Sequence, residues 1–209
     1  MSFTNYSELK AAIRTWSTRT DISDDQIDEF IDIAEAVMYS NSEETLKTRD
    51  GETRATASTS TTSRYLALPS GFLEMRQLKI ILDDSFPDVI YQPPEVLFIF
   101  DRAGLPKHFT ITNQIELDRT SDIAYTIEMN YHATFTALSS SSTTNFVLTN
   151  HPNIYLFGSR WVLSLRYKLH EEALMYWGLF IDAIKGANKR YRQGRYGPSP
   201  YMRIEGDTP

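Results

Sequence analysis

The chain of 209 residues contains no cysteine. Disulfide bonds, thiolate metal sites and a cysteine nucleophile are therefore excluded. No apolar run approaches the roughly 18 residues that indicate a membrane-spanning helix. The first ten residues, MSFTNYSELK, lack the basic region and the apolar block of a secretory signal peptide. We therefore expect no membrane contact and a protein that acts in the compartment where it is made.

Motifs for catalysis and for ligand binding are also missing from the sequence. The four histidines (His108, His132, His151 and His170) are far apart, and no two of them have the spacing of zinc ligands. There is no glycine-rich phosphate loop and no G-x-S-x-G nucleophile motif. The acidic stretch SDDQIDEF lacks the central glycine of a calcium loop and is typical of a helix N-terminus. Two carboxylates that meet only in space stay an open possibility, but we predict no enzyme, no metal and no cofactor.

Helical patterns occupy both ends of the chain. We predict helices over residues 5–17, 24–40, 150–167 and 171–189, and the last two are expected to pack as an antiparallel hairpin. Their expected N-terminal caps are Thr4 or Asn5, Ser23 with Gln26 in a capping box, and Thr149 or Asn150 ahead of Pro152. Their expected buried faces are Leu9, Ile13 and Trp16; Ile27, Phe30, Ile31, Ala34, Val37 and Met38; Ile154, Phe157, Trp161, Val162 and Leu165; and Leu174, Trp177, Ile181 and Ile184.

Between the helical ends the pattern changes to strands and turns. Alternating apolar residues predict a hairpin in KHFTITNQIELD and strands in EMRQLKIILDD and IAYTIEMNYHATF. The stretch TRATASTSTTSRYLALP is expected to form a hairpin with a polar tip, and QPPEV is expected to start a short helix. The fold class that follows is α+β, mainly α: a helical bundle with a C-terminal helical hairpin, an antiparallel β-rich insertion at about 52–132, and an extended C-terminal tail. We expect one domain over residues 1–185 and the tail over 186–209.

Charge divides the chain into an acidic body and a basic tail. Residues 1–184 carry 15 Lys or Arg and 25 Asp or Glu, whereas residues 185–209 carry six and two. Basic residues interleaved with tyrosines suit docking in a groove on an acidic protein, which is the function we favour. The alternatives are a disordered, solvated tail and a segment that binds nucleic acid. The candidate docking residues are Lys189, Arg190, Tyr191, Arg192, Arg195, Tyr196, Tyr201 and Arg203.

The aromatic stretch TNHPNIYLFGSRWVLSLRY, Thr149–Tyr167, raises the question of a ligand site. Its crowded apolar face is instead typical of a helix that packs against the following helix. Arg160 and Arg166 are expected on the exposed or partner-facing side, where arginine can pair with an acidic neighbour.

Several stretches, spread over most of the chain, share their sequence and their order with one protein family. They are SFTNYSELKAAIRTWSTRTD, GETRATAS, YLALPSGFLEMRQLKI, QPPEV, GLPKHFTITNQIEL, TNFVLTNHPNIYLFG and KRYRQGRYGPSPYMRI. Together they resemble the head-to-tail adaptor proteins of tailed bacteriophages, also called connector or head completion proteins. The junction YKLHEEALMYW departs from the more acidic junction expected of that family.

The resemblance implies a structural protein of the virion neck that is assembled in the host cytoplasm. Such adaptors form a ring, usually of twelve copies, beneath the portal, and C-terminal segments dock on the portal protein. The ring extends the DNA channel, presents a platform for tail proteins (nozzle, tail-tube or fibre), and lets genomic DNA pass without sequence-specific binding. No catalytic residue is carried over from the family.

A ring subunit needs two different lateral faces, because contacts between successive copies are heterologous. Candidate ring or partner contacts are Arg160, Arg166, Tyr155 and Tyr176. We further expect an acidic body to line the channel and repel passing DNA. The alternatives are another neck protein (stopper or tail terminator), a nucleic-acid-binding module that uses the basic tail, and a wall hydrolase.

Overall fold

The computed structural model describes residues 3–196, with side chains described up to Arg192. The chain forms two compact units. The helical unit combines the residues up to Arg49 with those from Phe135 onward, and the β unit is Asp50–Thr134. The fold is therefore α+β, with a β-rich insertion between helical ends, as predicted from the sequence.

Five helices make up the described part of the helical unit. They are α1 (Tyr6–Ser17), α2 (Asp24–Ser40), α3 (Phe146–Asn150), α4 (Pro152–Arg166) and α5 (His170–Tyr196). Asn5 caps α1 by accepting a bond from the backbone N–H of Glu8 at 3.0 Å. The predicted capping box of α2 is confirmed, since Ser23 and Gln26 each accept a bond from the other's backbone N–H.

The helix predicted at 150–167 is confirmed as α4, and a short helix that was not predicted, α3, comes directly before it. Asn145 caps the short α3 through the backbone N–H of Leu148, so the expected caps Thr149 and Asn150 lie inside α3. His151 separates the two helices, and Pro152 begins α4 as expected, because a proline at the first helical position loses no intrahelical bond.

The last helix is longer than predicted. It ends at Tyr196 instead of 189, so residues 186–196 of the expected extended tail are helical. The buried side chains of Ala187 and Asn188 continue the buried face of α5, and this packing outweighs the weak helix propensity of Gly186. The remainder of the expected tail, 197–209, lies outside the described residues.

The core of the helical unit comes from all five of these helices. Its largest fully buried side chains are Leu9, Ile13, Ile27, Phe30, Ile31, Met38, Tyr155 and Phe180. Most predicted core positions are correct, but three are exposed: Trp16 at 49%, Leu165 at 47% and Leu174 at 74%.

The β unit contains two small sheets. Its strands are β1 (Glu52–Ser58), β2 (Tyr65–Leu66), β3 (Phe72–Ile81), β4 (Ile90–Tyr91), β5 (His108–Ile111), β6 (Ile115–Leu117) and β7 (Thr126–Ala133). One sheet has the order β1-β7-β3 and the other has the order β2-β6-β5-β4. Their core includes Leu78, Ile80, Phe109, Ile115, Leu117, Ile127 and Met129.

The hairpin predicted in KHFTITNQIELD is confirmed by the antiparallel pairing of β5 with β6. The Thr/Ser-rich hairpin is wrong, because β1 pairs with β7 and β2 pairs with β6 in the other sheet. The helix predicted from Pro93 is also wrong. The backbone N–H groups of Val96 and Leu97 both bond the carbonyl of Pro93, and the chain continues as a turn.

Candidate partner-contact surfaces

The described part of the basic segment is the last three turns of α5. Lys189 and Arg190 are exposed there, Tyr191 is half-buried, and Arg192 lies 3.6 Å from a carboxylate oxygen of Glu44. The last turn also contains Arg195 and Tyr196, whose side chains are not described, and Tyr201 and Arg203 lie outside the described residues. The structure therefore presents the first basic side chains on a helix.

Asn188 attaches this end of α5 to the segment that follows α2. Its side-chain oxygen accepts a bond from the backbone N–H of Lys47 at 2.7 Å, and its amide nitrogen donates to Glu44 Oε1 at 2.5 Å and to the carbonyl of Thr45 at 2.8 Å. The residue is buried. The direction in which α5 carries its basic residues is therefore fixed by hydrogen bonds as well as by apolar packing.

Of the four candidate ring contacts, Tyr155 is fully buried. Its hydroxyl donates to Glu35 Oε1 at 2.6 Å and accepts from Asn145 Nδ2 at 2.7 Å, while Glu35 also accepts from the backbone N–H of Leu138 at 2.9 Å. Burial raises the pKa of both Tyr155 and Glu35, although the two bonds that Glu35 accepts oppose the shift of its pKa. These groups hold the segment after the β unit against α2, so Tyr155 is an interior residue and not a surface contact.

Arg160 and Tyr176 also lie in the interior of the helical unit. The guanidinium of Arg160 lies 4.7 Å from the centre of the Tyr176 ring, 3.3 Å from its hydroxyl and 3.4 Å from Glu172. The expectation of an exposed Arg160 is wrong, because this pairing lets the charge be buried. Arg166 is exposed as expected and lies 3.7 Å from Glu29 of α2.

An apolar groove lies between α1 and the first turns of α4. Its volume is about 720 Å³, and Trp16 stands in its wall with half of its surface exposed. The other apolar residues of the wall are Phe3, Ala11, Ala12, Pro152, Leu156 and Phe157. The spacing of Leu9, Ile13 and Trp16 predicts a buried Trp16, and no pattern in the sequence indicates the groove.

A second apolar surface of the helical unit lies on α5, where Leu174, Met175 and Leu179 are exposed. The buried face of this helix instead follows Ala173, Tyr176, Phe180, Ile184 and Ala187. That series has a clear spacing of three and four residues. This spacing can be recognised in the sequence, and it predicts an exposed Leu174.

The β unit has an exposed apolar segment of its own. In the turn and irregular segment after Pro93, Val96, Phe98 and Phe100 are exposed, and the rings of Phe98 and Phe100 meet edge to face at 4.7 Å. Arg119 lies over the Phe100 ring at 4.1 Å. Contiguous exposed apolar residues of this kind are typical of protein-binding surfaces.

Among residues 3–196, no three acidic, histidine or cysteine side chains are grouped so that they can hold a metal ion. In the same range, no helix has the length and apolar character needed to span a bilayer.

Comparison with known proteins supports a structural role. No curated protein sequence matches the chain. A sequence model of the family described as SU10 adaptor protein matches residues 4–202, which is nearly the whole chain and includes both units. The chain thus belongs to the SU10 adaptor protein family, whose members are structural proteins of the bacteriophage virion and not enzymes.

Proposed function

We propose that this protein is the ring-forming adaptor of a phage neck, where it joins the capsid portal to the tail and extends the DNA channel. The observation that carries the proposal is the family match over residues 4–202. Twelve copies are expected in the ring. Its partners are the portal protein above, tail proteins below and neighbouring copies at the sides.

The exposed surfaces support such a role because they suit several protein contacts. The helical unit exposes the groove around Trp16 and the apolar face of α5, and the β unit exposes the segment around Phe98. A subunit that is held between a portal, a tail and two neighbouring copies needs separate surfaces of this kind.

The basic end of α5 supports portal docking. Lys189, Arg190 and Arg192 are exposed on the helix, and Arg192 pairs with the half-buried Glu44 on the same unit. Positively charged helical turns suit an acidic groove on a partner, where exposed arginines can form bidentate pairs with carboxylates.

The decisive experiment mixes the purified protein with the portal protein of the same phage and examines the complexes by electron microscopy. Full-length protein is expected to form rings on the portal. A truncated protein that lacks residues 197–209 is examined in parallel to test the end of the tail. A cut at 186 is unsuitable, because it would also delete the buried Ala187 and Asn188 and disturb the helical unit. A full-length protein that binds no portal would refute the proposed function.

The double substitution Lys189→Glu and Arg190→Glu tests the helical part of the docking segment without shortening α5. We expect weaker portal binding and an unchanged unfolding midpoint, since both side chains are exposed. Exposed Lys168, between α4 and α5, provides the matched control as Lys168→Glu. If that control weakens binding equally, net charge and not the docking segment is responsible.

A nucleic-acid-binding module is the rival that the basic residues also suit. It predicts DNA binding by the isolated protein that falls steeply with salt and is lost in the Lys189→Glu, Arg190→Glu variant. The adaptor proposal predicts no such binding, because the acidic body opposes it. Acidic residues are then expected to dominate the lumen of the ring, and a ring structure with a basic lumen would contradict that expectation.

A further inference from the structure

Strand β1 forms one edge of the sheet β1-β7-β3 in the β unit. It pairs with β7 in an unbroken antiparallel register over all of its residues, Glu52–Ser58. The opposite edge of the sheet, on β3, is covered by residues 87–89, whose backbone bonds with that of Leu78 and Ile80. The edge strands of the other sheet, β2 and β4, have two residues each. Within residues 3–196, β1 is therefore the long strand at an uncovered edge.

The backbone groups of every second residue of β1 point away from β7. The N–H of Thr59 bonds the carbonyl of Tyr125 at 2.9 Å, and these two residues are directly opposite when the β1–β7 register is continued by one residue. Because bonded and non-bonded pairs alternate along an antiparallel ladder, the N–H and C=O groups of Arg54, Thr56 and Ser58 turn outward. All three residues are exposed, and in the described part of the chain no other segment bonds these groups.

An edge of this kind is a template for a further strand. Proteins usually protect such an edge with proline, lysine, a bulge or a very short length. β1 has seven residues, no proline and no lysine, and its register with β7 is regular. Its outward groups repeat about every 6.8 Å, which is two residues of an extended chain. Another extended segment can bond them in series, so the edge itself defines the conformation of its partner.

The side chains of β1 indicate the chemistry of such a segment. On one face of the sheet, the small Ala55 and Ala57 pack against the core of the β unit, so larger apolar side chains of an added strand can lie beside them and extend that core. On the other face, Arg54 lies opposite Asn130 of β7, which in turn lies opposite Gln77 of β3. This row contains a positive charge and no negative one. An acidic residue opposite Arg54 on the added strand would form a favourable cross-strand pair.

We infer that the outer edge of β1 binds an extended segment of the tail protein beneath the ring. The segment adds a fourth strand to the sheet, with apolar side chains at alternate positions and an acidic residue opposite Arg54. Main-chain hydrogen bonds then supply the affinity and the side chains supply the specificity.

The inference rests on the proposed function, because it assigns the tail contact of the adaptor to the β unit. The basic end of α5, which is proposed to dock on the portal, belongs to the helical unit, so the two partners bind different units. Among the described residues, a second copy offers as a long free edge its own β1. Pairing of two β1 strands would be isologous, unlike the contacts around a ring.

Hydrogen exchange at single amides tests the inference. Rings of the natural protein on the portal protein are compared with and without the tail protein of the same phage. The amides of Arg54, Thr56 and Ser58 are expected to exchange at least about tenfold more slowly with the tail protein, because the added strand bonds them. The amides of Ala55 and Ala57 are the internal control and should not change, since they already bond β7.

Unchanged exchange of the outward amides in a complex that contains the tail protein overturns the inference. Slowing that is complete on rings without the tail protein also overturns it, because the portal or a neighbouring copy then supplies the strand.

Thr56→Pro removes one outward donor and keeps the pairing with β7, because proline is tolerated where the N–H of an edge strand faces solvent. We expect the tail protein to bind about tenfold or more weakly, as loss of main-chain bonds predicts. Thr56→Ala is the matched control, which retains the N–H and should bind like the natural protein. Circular dichroism checks that both variants keep the fold. Equal losses of binding in the two variants would overturn main-chain pairing.

Arg54→Glu is a second variant, and it keeps every backbone group of the edge. It should weaken binding of the tail protein several-fold, because a like charge then faces the acidic residue of the added strand. Arg76→Glu, at an exposed arginine of β3, is the matched control and should change binding little. If both substitutions weaken binding equally, the acidic residue opposite Arg54 is refuted.

Portal binding is measured on the same samples, so the two hypotheses fail separately. Rings that bind the tail protein without slower exchange in β1 refute the added strand and leave the proposed function standing. A protein that binds no portal refutes the proposed function. Slower exchange of the outward amides when the tail protein is added to that free protein leaves the strand contact standing.

Discussion

At Gly158, α4 approaches both α5 and α2 closely. A Cβ built there would lie 2.9 Å from Cε2 of Phe180 on α5 and 3.0 Å from Cβ of Ala34 on α2. Such distances are below ordinary van der Waals contact. The glycine therefore allows this close packing, although a mid-helix glycine weakens a helix by about 0.5–1 kcal/mol relative to alanine.

We expect Gly158→Ala to destabilise the protein, since overpacking costs about 1–3 kcal/mol and exceeds the gain in helix propensity. Gly178→Ala is the matched control in open space on α5 and should stabilise by about 0.5–1 kcal/mol. Urea denaturation of the two variants measures the difference. An equal increase in the free energy of unfolding for both variants would show that α4 can move away from its neighbours.

Glu35 gives the helical unit a pH dependence. Burial raises its pKa above the value of about 4.3 in an unfolded chain. Between the two pKa values the folded protein binds the proton more readily than the unfolded chain, so the contribution of Glu35 to stability falls as pH rises through that window. Nearby Asp32 raises the pKa further, and the bonds from Tyr155 and Leu138 lower it.

Glu35→Gln should remove this pH dependence and be at least as stable as the natural protein at neutral pH. The amide oxygen can still accept the bonds from the Tyr155 hydroxyl and the Leu138 N–H. Glu35→Ala removes the acceptor and should cost about 1–3 kcal/mol for each buried donor left unpaired. Free energies of unfolding from about pH 4 to about pH 8 test both expectations. A Gln variant that loses stability relative to the natural protein as pH rises would reverse the assigned sign.

Helix α5 extends beyond the end that its sequence predicts, to Tyr196 instead of 189. Gly186 and Gly194 reduce local helix propensity, and the basic residues show no apolar stripe. The helix continues because Ala187 and Asn188 are buried against other segments, which is a tertiary effect. Local signals with a fixed spacing were more informative, as the capping box at Ser23 and the β5–β6 hairpin show.

The partner of a strand depends on contacts that are distant in sequence. The Thr/Ser-rich stretch contains two strands, as its pattern suggests, but β1 and β2 join different sheets. Candidate surface residues share this difficulty. Tyr155 and Arg160 look like surplus aromatic and charged residues in the sequence, and their buried partners Glu35 and Tyr176 are revealed by the fold.

The attachment of α5 to the segment after α2 gives a prediction at the same scale. Asn188→Ala removes three hydrogen bonds and should cost about 2–4 kcal/mol, given about 0.5–1.5 kcal/mol for each bond. The backbone amides of 44–48 should then exchange hydrogen faster. Lys189→Ala, at the exposed neighbouring position, should leave exchange unchanged. If these amides exchange as slowly in the Asn188→Ala variant as in the natural protein, the burial of Leu46 is enough to hold residues 44–48 in place.

In the described part of the chain, buried apolar side chains form two separate cores, one in each unit. All three tryptophans (Trp16, Trp161 and Trp177) belong to the helical unit. Tryptophan fluorescence therefore reports the helical unit, whereas far-ultraviolet circular dichroism reports both units. This division allows the stability of each unit to be followed in the intact chain.

Ile127→Ala should destabilise the β unit by about 2–4 kcal/mol, because it leaves a cavity in a fully buried position. If each unit unfolds as its own cooperative element, part of the circular dichroism change should occur at a lower denaturant concentration. The midpoint measured by fluorescence should stay unchanged. Ile13→Ala in the helical core is the control and should shift the fluorescence midpoint. A parallel shift of both probes in the Ile127 variant would show a single cooperative transition.

The ends of the β unit lie side by side, since Glu52 of β1 pairs directly with His132 of β7. The Cα atoms of such a pair are about 5 Å apart, a distance that a tight turn can close. A gene could thus lose the insertion, or gain a larger one, while the helices keep their places in the encoded chain. We therefore expect the β unit to be exchangeable as one block with little disturbance to the helical unit.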